Sequence, residues 1–145
     1  MRVDFYQLKR DPVEAALPLI ARASVKTGER LLIVSSDARQ LGLIGDALWQ
    51  KLPETFLAHG HASDPHAERQ PILLSDRTEA LNGARFLVIA DGQWREPDQP
   101  FERTFYFFDD AALQDARACW RELGRREGVD RRFWKQEGGR WLEGP

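Results

Sequence analysis

"RLLIVSSDARQLGLIGDALWQKL" occupies residues 30–52, and its two parts follow different rules. Leu31, Leu32, Ile33 and Val34 leave no polar position for a solvent-facing side, the pattern of a strand covered on both faces. Asp37 then offers a side-chain oxygen to the first free amides of a helix that the spacing predicts over 37–52. A doubly covered strand followed by a capped helix is the repeating unit of an α/β fold with a parallel sheet.

The flanks repeat the unit. Upstream, "RVDFYQL" (2–8) is short and rich in β-formers, and Asp11 with Pro12 supplies a cap and a first-turn proline for a helix over "PVEAALPLIARASVKTG" (12–28), with Gly28 at its C-terminal stop. Pro18 is expected to kink that helix or to reset its start. Downstream, residues 53–71 lack periodicity and read as a loop carrying a short strand at "TFLA" (55–58). "PILLS" (71–75) and "RFLVIAD" (85–91) are strands separated by a helical turn in "DRTEALNG" (76–83), and "QWREPDQPF" (93–101) is a loop. "ERTFYFFDD" (102–110) is a strand ending in an acidic turn, and a last helix is predicted from about Asp110 to Arg126. The expectation is one α/β domain over 1–145: a largely parallel sheet with right-handed crossovers, flanked by helices, without a nucleotide-binding loop.

A chain of 145 residues builds a core without disulfides or metal, and Cys119, being alone, forms no internal disulfide. No apolar run approaches the roughly 20 residues of a membrane span, and the N-terminus lacks an apolar export signal, so a cytoplasmic setting is expected. The net charge of −2 hides an asymmetry: residues 1–116 hold 13 Lys/Arg against 18 Asp/Glu, and residues 117–145 hold 8 against 5. That basic end also holds Trp120, Trp134 and Trp141.

Chemistry is sparse. The stretch "FLAHGHASDPHAERQPI" (56–72) carries His59, His61 and His66 around Asp64, which raises the alternative of a metal-dependent hydrolase. No further histidine completes a four-ligand zinc set, and a polar loop is a poor frame for one, so no metal is expected. Neither G-x-G-x-x-G nor G-x-x-x-x-G-K-[ST] occurs, so no nucleotide cofactor is expected. No G-x-S-x-G elbow occurs, Cys119 falls on a buried helix face, and Asp109 and Asp110 sit at a helix start, where the macrodipole accounts for them.

The last helix says more. At 100° per residue, Ala112, Ala116, Cys119 and Leu123 fall within about 60° and form a narrow apolar seam. Leu113 and Trp120 border it, and Arg117 and Arg121, one turn apart, flank the indole from outside. An apolar notch edged by two guanidinium forks suits a peptide ending in an aromatic residue with a free carboxylate. Spacing alone favours the plainer alternative, a core tryptophan with solvated arginines.

Six segments, "DALWQKLPETFLAHG" (46–60), "RQPILLS" (69–75), "NGARFLVIADG" (82–92), "FERTFYFFD" (101–109), "ARACWRELGRREG" (116–128) and "RFWKQEGGRW" (132–141), resemble in order and spacing the chi subunit family of bacterial DNA polymerase III. The resemblance implies a Rossmann-like fold and a non-catalytic accessory subunit of the holoenzyme. Such a subunit binds the acidic C-terminal tail of single-stranded-DNA-binding protein and reaches the clamp loader through the psi subunit. In some bacteria the psi-facing surface also engages a repair helicase. On the same basis Arg117, Trp120 and Arg121 match the tail pocket, and Trp49 and Phe56 match the aromatic pair for psi or helicase. Leu113 stands where the family carries a lysine, with Arg125 or Arg126 as candidate substitutes. The family's "F-L-P-H-G" turn places Phe56, Leu57, His59 and Gly60 on a partner-facing loop, with Ala58 for the proline, and leaves His61 and His66 incidental. Direct nucleic-acid binding through 117–140 is expected to be weak, because a short basic stretch on an acidic domain makes a small electrostatic footprint.

Overall fold

Every residue of the first apolar run is fully buried, in a strand here termed β2 (Leu31–Val34). The computed structural model of the chain describes residues 1–9, 11–50, 57–97, 99–137 and 140–144. Ahead of β2 come β1 (Arg2–Gln7) and α1 (Val13–Lys26); after it come α2 (Ala38–Gln50), β3 (His59–His61), β4 (Ile72–Ser75), β5 (Phe86–Ile89) and β6 (Arg103–Phe108). The described chain ends with α3 (Leu113–Gly124), β7 (Asp130–Glu137) and β8 (Arg140–Glu143). Among the described residues the strands form one eight-stranded sheet ordered β3-β4-β2-β5-β6-β1-β7-β8. Every pairing is parallel except that of β7 with β8. The α/β class and the mostly parallel sheet agree with the sequence reading.

Period-two alternation sends the strand side chains to two cores. On one face α1 and α2 press Leu17, Ala21, Ile44 and Leu48 onto Leu31, Ile33, Leu74, Val88 and Phe107. On the other face α3 lays Ala116, Cys119 and Leu123 over Val3, Phe5, Tyr106 and Phe108, so most of the predicted seam is buried as expected, with Ala112 only half-buried. β1 lies inside the sheet, between β6 and β7. Its Asp4 is fully buried and accepts from Arg2 Nε and Nη2 (3.2 and 3.0 Å), Arg103 Nε (2.7 Å) and Trp134 Nε1 (2.9 Å).

Local signals held unevenly. Asp37 caps α2, accepting from the amides of Arg39 (2.9 Å) and Gln40 (3.3 Å). Gly28 follows α1 at φ +84°, a left-handed turn that costs glycine nothing. Asp11, expected to cap α1, instead accepts from Gln136 Nε2 at 2.8 Å, and the N-cap position belongs to Pro12 with no side-chain bond. Pro18 sits inside α1 without resetting its start. The strand expected at "TFLA" lies partly outside the described residues; Leu57 and Ala58 are not strand, and the ladder begins at His59. Residues 76–83 form turns with no helix, and the last helix opens with a 3-10 turn, Asp110–Ala112, before α3. β7 and β8 were not anticipated.

Candidate protein-interaction site on the last helix

Asp109 starts the segment that carries the site, its carboxylate accepting from the Ala112 amide at 3.3 Å. Once Ala116, Cys119 and Leu123 face the sheet, helical spacing leaves Arg117 and Arg121 exposed and holds Trp120 half-buried at the border. The indole meets the Phe5 ring edge-on at 5.2 Å and 80°, and the Phe133 ring at 5.8 Å and 88°. Among the described residues neither Arg117 nor Arg121 has a hydrogen bond or an ion pair. Leu113 is half-buried against the same core.

Arg125 and Arg126, the candidate substitutes for a lysine at position 113, each stand beside a carboxylate. Arg126 forms a fork with Glu96 (2.7 and 3.1 Å) that holds the Glu96 carboxyl below its ordinary value, and Arg125 lies 3.8 Å from Glu122. The cation over the indole is one the sequence reading did not single out: Arg131 of β7, whose Cζ lies 4.1 Å from the ring centroid. The strand alternation of 130–137, which puts Arg131 and Phe133 on one face, was the signal that could have found it.

Trp49 lies at the end of α2 with 55% of its surface exposed, its ring 5.2 Å from that of His59. A cleft of ≈ 330 Å³ runs beside them, over Gly42 and Gly45 and up to His61 and Asp64. Phe56, the expected second aromatic, lies outside the described residues. The histidines are not gathered as ligands: His59 Nδ1 is 2.8 Å from the Leu57 carbonyl, the His61 amide donates to Asp64, and His66 occupies a left-handed turn at φ 65°. Among the described residues no group of three or more His, Cys, Asp or Glu side chains could hold a metal ion. Burial pushes the Cys119 thiol up to about 12, so it stays protonated near neutrality and is a poor nucleophile.

Among the described residues, a crevice of ≈ 370 Å³ at the C-terminal ends of β1, β5 and β6 is lined by Asp11, Glu14, Asp91 and Asp109 together with Lys9. Burial opposes ionisation of Asp91, but Arg95 (2.7 and 2.8 Å) and the amides of Ser36 and Gln93 outweigh it and hold the carboxyl at about 2. A lowered folded-state pKa contributes stability that is fully present above the unfolded value, near 4, and disappears as pH falls towards 2. Urea melts at pH 5 and pH 2.5 are therefore expected to show a larger acid loss for the native chain than for Asp91→Asn.

Among the described residues no helix is long and apolar enough to cross a membrane. The family model described as "DNA polymerase III chi subunit, HolC" matches residues 1–132. The probable DNA polymerase III subunit chi of Rickettsia prowazekii (strain Madrid E) is 33% identical over 58 residues, which is 40% of this chain and 35% of that relative's length.

Proposed function

Because the chain belongs to the family of DNA polymerase III chi subunits, which places it in DNA replication, we propose that it serves there as a non-catalytic accessory subunit. In this reading α3 captures the acidic C-terminal tail of single-stranded-DNA-binding protein. Trp49, with Phe56, meets the psi subunit or a repair helicase and so ties the coated template to the clamp loader. No cofactor takes part, and bare DNA binds weakly.

The observation that supports this reading best is the pairing of two exposed guanidinium groups, Arg117 and Arg121, with a half-buried indole between them in sequence. An acidic peptide ending in an aromatic residue supplies carboxylates for the unpaired forks and an apolar side chain for the part of the indole that stays exposed. Trp49 supports the second contact, since a large exposed aromatic at a cleft is the usual anchor of an interface.

Fluorescence anisotropy with a labelled peptide copying that tail tests the tail contact. Arg117→Ala combined with Trp120→Ala is expected to weaken binding at least tenfold, and raising salt to 0.3 M is expected to weaken the native complex, because exposed charge pairs are screened within about 8–10 Å. Binding that survives both changes, or native protein that ignores the peptide, removes the proposal.

A further inference from the structure

A cavity of ≈ 460 Å³ opens between the C-terminal half of α1 and the first residues of β5 and β6, on the face of the sheet away from α3. A mismatch of side-chain size creates it. From α1 the cavity receives Ala23, Ser24 and Thr27, all short. The two hydroxyls turn back onto their own helix, Ser24 Oγ donating to the Ile20 carbonyl (2.9 Å) and Thr27 Oγ1 to the Ser24 carbonyl (2.7 Å). From the sheet it receives rings: Phe86 and Phe105 meet at 6.0 Å and 60°, and Phe105 and Tyr6 at 6.0 Å and 26°. Its volume falls in the range of about 300–1,000 Å³ that small-molecule sites occupy, and its walls are flat and apolar.

Charge decides what kind of molecule fits. Arg103 stands in the aromatic wall with its Cζ 4.3 Å from the Phe105 ring centroid. Its Nε donates to Asp4 at 2.7 Å, but Arg2 donates to the same buried carboxylate, so two guanidinium groups divide one negative charge. Among the described residues the terminal nitrogens of Arg103 give no hydrogen bond to a carboxylate. At the mouth the balance is reversed, because Glu29 and Glu102 share the single guanidinium of Arg85. A positive inner wall behind a negative rim admits one anionic group on an apolar ring and repels a polyanion such as a nucleotide or a nucleic-acid strand.

We propose that this cavity binds a small planar aromatic monocarboxylate. The ring lies between Ala23 and the rings of Phe86 and Phe105, and the carboxylate takes the terminal N–H groups of Arg103, a fork that matches its two oxygens. The cavity shares no residue with α3 or with the Trp49 cleft, so the inference is independent of the partners proposed for them.

Two-dimensional NMR of the isotope-labelled full chain tests it, with 2-naphthoate as the probe and 2-naphthamide as its uncharged counterpart. Naphthoate is expected to shift the amides of Ile20, Ala23, Phe86 and Phe105 with half-saturation at about 1 mM or below, the range for a ligand of that size. Naphthamide is expected to bind at least tenfold more weakly, having lost the charge-assisted bonds. Ala23→Leu places a branched side chain in the cavity from an exposed helix position, keeps every charge and costs little helix propensity. It is expected to weaken naphthoate binding at least tenfold without lowering Tm. Arg103→Gln is expected to bring naphthoate down to the level of naphthamide in protein whose spectrum is still that of the fold. Equal affinity of the native protein for acid and amide overturns the proposal, as does naphthoate binding that survives Ala23→Leu. Shifts centred on Arg117 and Arg121 assign the probe to the basic helix and overturn it too, and so does the absence of any shift at about ten times the expected half-saturation.

Discussion

Phe5→Ala is expected to lower the unfolding free energy by about 4 kcal/mol, within the range for truncating a buried phenylalanine, and to weaken tail-peptide binding by protein that is still folded. The ring is fully buried and joins three elements: it lies 5.3 Å from Tyr106 and 6.4 Å from Phe108 on β6, 6.5 Å from Phe133 on β7, and 5.2 Å from Trp120 on α3. Aromatic neighbours on several sides leave little backbone able to collapse into the space, and truncation therefore leaves a cavity. Because Trp120 borders that cavity, the indole loses the support that aims it. A urea midpoint shifted by less than the equivalent of about 1 kcal/mol would show that the site relaxes around the smaller side chain.

Asp4→Ala is the second large effect, expected near 3 kcal/mol. The fully buried carboxylate receives four N–H bonds, from Arg2 (two), Arg103 and Trp134. Without it the Trp134 indole N–H is orphaned and two guanidinium groups approach each other with nothing between them. The figure lies at the lower end of the range for breaking buried pairs because Arg2 and Arg103 each keep some contact with water. Asp4→Asn, which keeps an acceptor and loses the charge, is expected to cost about half as much. Equal stability for Ala and native by urea melts would mean that water replaces the carboxylate without penalty.

The parts of the fold legible in the sequence were those in which one physical requirement dominates. A fully buried parallel strand must be apolar throughout, and Leu31 to Val34 are; a helix start must satisfy its amides, and Asp37 does. The illegible parts mix two requirements. In β7, Arg131 and Phe133 point to the α3 side while Arg132 and Trp134 point to the other, so each face alternates charge with aromatic and neither period stands out. Asp11 has the composition of a cap, but a glutamine 125 residues away takes its carboxylate, a contact that no local pattern carries. The candidate site divides in the same way: Arg117, Trp120 and Arg121 share one helix and follow from its spacing, whereas Arg131 arrives from a strand and is brought to the indole by a vacancy at Gly124.

The inner position of β1 also sets an order of assembly. Its two neighbours, β6 and β7, begin about 100 and 130 residues later, at Arg103 and Asp130. A ribosome releases β1 long before either partner exists, leaving Phe5 and Tyr6 without their neighbours until β6 and then β7 have emerged. Such sequence-distant pairing slows folding and prolongs the window for misassociation. Nascent chains halted before residue 130 would therefore lack half the seat of the founding strand, however complete the β2–β4–β5 unit beside it.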